Sequence, residues 1–289
     1  MTKRGTPNVL PAGRRPASVA ATVGGMPNNV KQRCSRFACV SLAVAAASIL
    51  SACGGDEEAP REPLTLRSAP TEPGQPIALD RASDPSGAVA FDRWPRACEL
   101  LTDDEIKSVL PQTTKVERES MDGETHIKEG VVNYGRYASV RDVAVKHGRC
   151  SFDLDIPATG LRLSDLYPPR LVVDVDFAGT PAFVKLNFPY RERQNSIGIA
   201  GGRCFKRGEA SCVKGPFAFS IRNQFLHQEK DFADPDLEWR DRYRVNGRTE
   251  TISSPGGDSP EANEAFRRRQ RLEMDHILVE LATIILRKI

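Results

Sequence analysis

The sequence predicts an α+β fold: an antiparallel sheet of five to seven strands, an N-terminal entry helix, a long C-terminal helix and two disulfides. Three observations lead there. Short runs of alternating apolar and polar residues recur between Cys150 and Val245, the pattern of strands with one covered and one wet face. Apolar residues at Met274, Ile277, Leu278, Leu281 and Ile285 then keep a helical period to the end of the chain. Four cysteines, Cys98, Cys150, Cys204 and Cys212, are spread over the same span.

The entry helix is read from "CELLTDDEIKSVL". Thr102 is its N-cap, and Glu105 three residues on completes a capping box that satisfies free amide donors. Leu101, Ile106, Val109 and Leu110 give it an apolar face, and Pro111 stops it. In the first strand Cys150, Phe152, Leu154 and Ile156 alternate with Ser151, Asp153 and Asp155. In the next, Leu171, Val173, Val175 and Phe177 alternate with Val172, Asp174 and Asp176. Val184, Leu186 and Phe188 continue the alternation after "AGTPA", so this pair reads as a hairpin. Phe217, Phe219 and Ile221 mark another strand. Trp239, Tyr243 and Val245 lead into Asn246-Gly247, a two-residue turn in which both residues tolerate positive φ. Ser259 and Pro260 suit the N-cap and first position of the closing helix.

The domain read this way covers residues 94–289. Residues 53–93 precede it, with Pro60, Pro63, Pro70, Pro73, Pro76 and Pro85 and no apolar period, a composition that predicts a disordered tether. Such a chain has an r.m.s. reach of roughly 35 Å.

Of the 41 basic residues, seven (Lys3, Arg4, Arg14, Arg15, Lys31, Arg33, Arg36) fall within the first 52, which hold no acidic residue. The rest of the chain therefore carries 34 basic against 38 acidic residues, a net −4, and the overall basic balance is no argument for a nucleic-acid partner. Lys31, Arg33 and Arg36 precede an apolar run from Phe37 to Leu50, shorter than the ~20 residues a spanning helix needs. Charge, apolar run and small residues follow in signal-peptide order. Leu50-Ser51-Ala52-Cys53 resembles the lipobox of bacterial lipoproteins. That resemblance implies cleavage before Cys53 and a diacylglyceryl thioether on its sulfur, two acyl chains being what stable anchoring takes. Residues 26–52 then form the signal peptide, and residues 1–25, ahead of Met26, read as an extension from a start placed too far upstream. The implied location is the extracytoplasmic face of the cell membrane.

Four cysteines in an exported domain imply two disulfides. The expected pairs are Cys204–Cys212, eight residues apart with Gly208 available to turn the loop, and Cys98–Cys150, fifty-two apart. No Cys-x₂-Cys spacing supports a zinc site. "RACELLTDDEIKSVL", "GRCSFDLDI" and "LVELATIILRKI" also resemble a family of actinobacterial lipoproteins whose function is unassigned. There a cysteine opens a C-x-L-L-T-x-x-E helix, and tryptophan is common where this chain has Phe152. The family implies an envelope location and supplies no catalytic residues.

The sequence offers no catalytic, metal or cofactor constellation. "GIAGGRC", Gly198 to Cys204, lacks phosphate-loop spacing and reads as a turn. His126, His147, His227 and His276 are dispersed. Asp153, Asp155, Asp174 and Asp176 read as the wet face of two strands, and Asp231, Asp234 and Asp236 as an acidic loop without calcium-loop spacing. Arg267-Arg268-Arg269-Gln270-Arg271 reads as a solvated helix face with Glu264, Glu273 and Asp275 as partners. "CFKRGEASC" is the candidate recognition tip, a small loop that presents Lys206 and Arg207 between paired cysteines. The expected function is a lipid-anchored envelope protein whose domain binds a ligand or protein partner without catalysis. The contrasting class is an envelope-modifying hydrolase or transferase, which a deep pocket with convergent polar groups would favour.

Overall fold

The computed structural model describes residues 62–82, 85–129, 139–157, 169–188, 196–206, 208–223 and 238–289. Cys53 and the stretches on either side of it lie outside the described residues.

The first described element is a strand, β1 (Leu64–Leu66), and two 3-10 turns follow at Phe91–Arg93 and Ala97–Glu99. Helix α1 (Asp103–Val109) comes next and has the capping box read from its sequence: Thr102 Oγ1 accepts from the Glu105 amide, and Glu105 accepts from the Thr102 amide. It is a seven-residue helix inside the domain, so no N-terminal helix opens the described chain.

The main sheet has seven strands, all antiparallel. In chain order they are β2 (Lys115–Glu129), β3 (Ser139–Asp155), β4 (Arg170–Ala178), β5 (Ser196–Ile199), β6 (Gly202–Lys206), β7 (Ala210–Lys214) and β8 (Phe217–Asn223). Across the sheet the order is β2-β3-β4-β8-β7-β6-β5. The predicted alternation sets its faces: Phe152, Leu154, Leu171, Val173, Phe217, Phe219 and Ile221 are almost completely buried on one side. β2 was not legible as a strand, because "KVERESMDGETHIKE" has no apolar alternation. It lies at the sheet edge, where a charged sequence discourages pairing with other chains.

Where the sequence predicts a hairpin after Phe177, the structure has helix α2 (Pro181–Asn187). Thr180 caps it by accepting from the Phe183 amide, and Pro181 fits its first turn. The helix brings Phe183 and Phe188 edge-on to Phe177, with ring centroids 6.5 and 6.3 Å apart. β4 pairs instead with β3 and β8.

A second sheet has the order β1-β9-β10, with β9 (Trp239–Val245) and β10 (Arg248–Ser254) joined at Asn246-Gly247. Both turn residues have positive φ, +49° and +78°. β1 runs parallel to β9, the one parallel pairing among the described strands. The C-terminal helix runs from α3 (Pro260–Glu273) through a π-helical turn (Met274–Leu278) to α4 (Val279–Lys288), with Ser259 as N-cap. α3 packs against β10, while α4 reaches α1 and β7. The helix thus bridges the two sheets.

Residues 62–82 do not behave as the predicted tether. Leu64, Leu66 and Ala69 are buried in the core, and the following segment straps the C-terminal helix. The Ala69 amide donates to Glu280, the Ile77 amide to the Lys288 carbonyl, and Arg287 donates to the Pro70 carbonyl. Isolated apolar anchors and backbone-to-helix hydrogen bonds hold this proline-rich stretch, which is why it shows no period. Lys288 closes the strap region by pairing with Glu105, its Nζ 2.9 and 3.0 Å from the two carboxylate oxygens.

Candidate functional site

Both expected disulfides are present. Cys204 and Cys212 face each other in register on β6 and β7, and Cys98 ties the second 3-10 turn to Cys150 on β3. Two disulfides mark a domain suited to an oxidising, extracytoplasmic compartment. At the loop they close, Lys206 Nζ is 2.5 Å from Asp275 Oδ1 on the C-terminal helix. That cation is therefore partly committed to an internal contact. Arg207 lies outside the described residues, as do Asp231, Asp234, Asp236 and His227.

The aspartates of β3 and β4 are paired rather than simply wet. Asp174 is shared by Arg149 and Arg222, at 2.5 and 3.0 Å, and Asp153 holds Arg170 at 2.5 Å. Asp176 accepts from Ser220, and Asp155 from Thr114. These contacts knit neighbouring strands. Among the described residues no group of three or more His, Cys, Asp or Glu side chains could hold a metal ion. "GIAGGRC" is the β5–β6 turn, with Ala200 and Gly201 at positive φ.

Ser120 Oγ and His147 Nδ1 come within 2.8 Å across the β2–β3 hairpin, a contact the dispersed sequence positions did not foretell. Asp122 accepts from the backbone amide of His147, not from its ring. Among the described residues the pair lies on an exposed face of β2 and β3.

The densest polar constellation is buried under the small sheet. Arg269, read from sequence as solvated, is 1% exposed because α3 turns it against β9. Its Nη1 is 2.9 Å from Asp241 Oδ2, and its Nε donates to Glu273 Oε1 at 3.1 Å. Glu273 also accepts from Tyr243 OH at 2.8 Å and from Asn223 Nδ2 at 2.9 Å. The guanidinium lies 5.5 Å from the centroid of Trp239. Burial lowers the Arg269 pKa, yet Tyr243, Glu273 and Asp241 more than offset this and raise it overall. Burial, then the Glu273 charge, push the Tyr243 phenol well above its usual range. The signal in the sequence was the alternation in "WRDRYRV": a strand that puts Trp239 and Tyr243 inward must put Asp241 inward too, and that carboxylate needs a buried cation.

Beside this network a cleft of about 60 Å³ is lined by Trp239, Ser254, Gly256, Asp258, Asn263 and Phe266. Small-molecule sites occupy roughly 300–1,000 Å³, so this cleft takes little more than ordered water. A second, between Leu79, Val89, Pro95 and Pro216, is about 10 Å³. Among the described residues no helix is long and apolar enough to cross a membrane.

No family model matches the chain, and no curated protein or solved structure matches it either. The chemistry is therefore read from the chain's own residues.

Proposed function

We propose that the protein is a lipid-anchored envelope protein whose α+β domain works by binding, without catalysis, on the outer side of the membrane. The observation that carries this reading is the pairing of two disulfides with a lipobox cysteine, Cys53, nine residues ahead of the first described residue, Glu62. Disulfides fit an exported domain, and the lipobox supplies the means of keeping that domain at the membrane. Binding is favoured over hydrolysis because the densest clusters of charge among the described residues are engaged in structural pairs. Arg269 pairs with both Asp241 and Glu273, and Asp174 and Asp153 are held by arginines. The cleft beside Trp239 is also too small to enclose a substrate. The test is detergent phase partitioning of the exported protein beside its Cys53→Ser variant. Wild type enters the detergent phase and the variant stays aqueous; equal partitioning of the two overturns the anchor.

A further inference from the structure

β9 divides its side chains between two tasks. Trp239, Asp241 and Tyr243 point inward, and the buried network holds the last two. The alternate residues, Arg240, Arg242 and Arg244, form a row on the opposite face. Across the ladder each arginine meets a hydroxyl residue of β10: Arg240 opposite Ser253, Arg242 opposite Thr251, Arg244 opposite Thr249. All three hydroxyl residues are exposed, and Thr65 of β1 adds a fourth beside Arg244. Arg244 lies 3.7 Å from Glu62 and keeps 42% of its side chain exposed. A row of guanidinium groups beside a row of hydroxyl donors, on a strand fixed from behind, is a surface for phosphate oxygens.

We infer that this face is a second membrane contact, which takes the anionic headgroups of the bilayer beside the lipid anchor. The inference rests on the anchored reading above. The membrane is favoured as occupant because of where the chain enters the domain. Glu62, at the edge of the arginine row, follows Cys53 after only eight intervening residues. Such a segment spans at most roughly 30 Å when extended. Attraction to a charged surface fades over a Debye length of about 10 Å, and the short tether lets the arginines come within that distance of headgroups. Each basic residue near an anionic surface contributes roughly fivefold to binding, and three together on the order of a hundredfold. The face then orients the domain that the acyl chains only tether.

The test uses full-length lipidated protein reconstituted into phosphatidylcholine vesicles with or without phosphatidylglycerol, and reads arginine modification by phenylglyoxal with peptide mass spectrometry. Phosphatidylglycerol should suppress labelling of Arg240, Arg242 and Arg244 on the order of tenfold at low salt, and high salt should restore it. Arg267 and Arg271 on α3 should label alike in both vesicles. A companion measurement uses the full chain carrying Cys53→Ser. Adding Arg240→Gln, Arg242→Gln and Arg244→Gln should lower its preference for anionic over neutral vesicles roughly a hundredfold. Circular dichroism checks that this variant is folded. Failure of the anchor reading appears separately, as wild-type protein that does not float with neutral vesicles. Equal labelling in both vesicles, or protection by soluble polyphosphate but not by phosphatidylglycerol vesicles, overturns the inference.

Discussion

Replacing Arg269 with alanine should destabilise the domain more than any other single charge removal described above. The side chain is 1% exposed, and it is the cation facing Asp241 at 0% and Glu273 at 1%. Its loss strands two buried carboxylates. Breaking a buried ion pair by removing one partner costs about 3–5 kcal/mol. The lost contact with the Trp239 ring adds roughly 0.5–2 kcal/mol. A total of about 4–6 kcal/mol approaches the whole stability of an ordinary domain, so the variant should be largely unfolded or close to it at 37 °C. The companion variant combines Arg269→Met with Asp241→Asn and Glu273→Gln. It keeps hydrogen-bonding groups opposite Tyr243 and Asn223 and leaves no uncompensated charge, so it should recover about half of the loss or more. The assay is urea unfolding at pH 7 with disulfides intact, followed by far-ultraviolet circular dichroism. A cost below about 1 kcal/mol for Arg269→Ala, or a triple variant no more stable than the single one, would refute the view that this network is dry and held together by its one cation.

The disulfides should differ in weight. By loop entropy, removing Cys98–Cys150, which closes 52 residues, costs about 4 kcal/mol, and removing Cys204–Cys212, which closes 8, about 2.5, as chemical denaturation of the two paired-alanine variants will measure. Alkaline titration reports on Tyr243. Its folded pKa is raised by burial, so the unfolded chain ionises first, above about pH 10, and stability falls as pH rises from there towards the folded value. Tyr243→Phe should flatten that part of the stability profile while leaving Glu273 one donor short.

Much of this fold was legible because local signals and tertiary contacts agreed. Thr102 with Glu105, Asn246 with Gly247 and Ser259 with Pro260 each form the cap or turn their chemistry specifies. Legibility failed where a local pattern had two solutions. Val184 and Phe188 alternate as in a strand, but Thr180-Pro181 also starts a helix, and packing of Phe183 and Phe188 against Phe177 favours the helix. Residues 62–82 lack any period because Leu64, Leu66 and Ala69 are single anchors of a strap across a helix that is distant in sequence. Arg269 was misread for a related reason. The i,i+4 partner Glu273 was visible, but the burial of both depends on Asp241 of a strand 28 positions away. The arginine row of β9 was hidden in the same stretch, since "WRDRYRV" shows two faces only once its alternation is fixed by what lies behind it.

The anchored reading rests most directly on one atom, the sulfur of Cys53. Mass spectrometry of the mature N-terminal peptide, taken from membranes of the producing cell, measures it. The mature chain should start at Cys53 and carry a diacylglyceryl group. A mature chain that starts elsewhere, or a Cys53 without lipid, would contradict it.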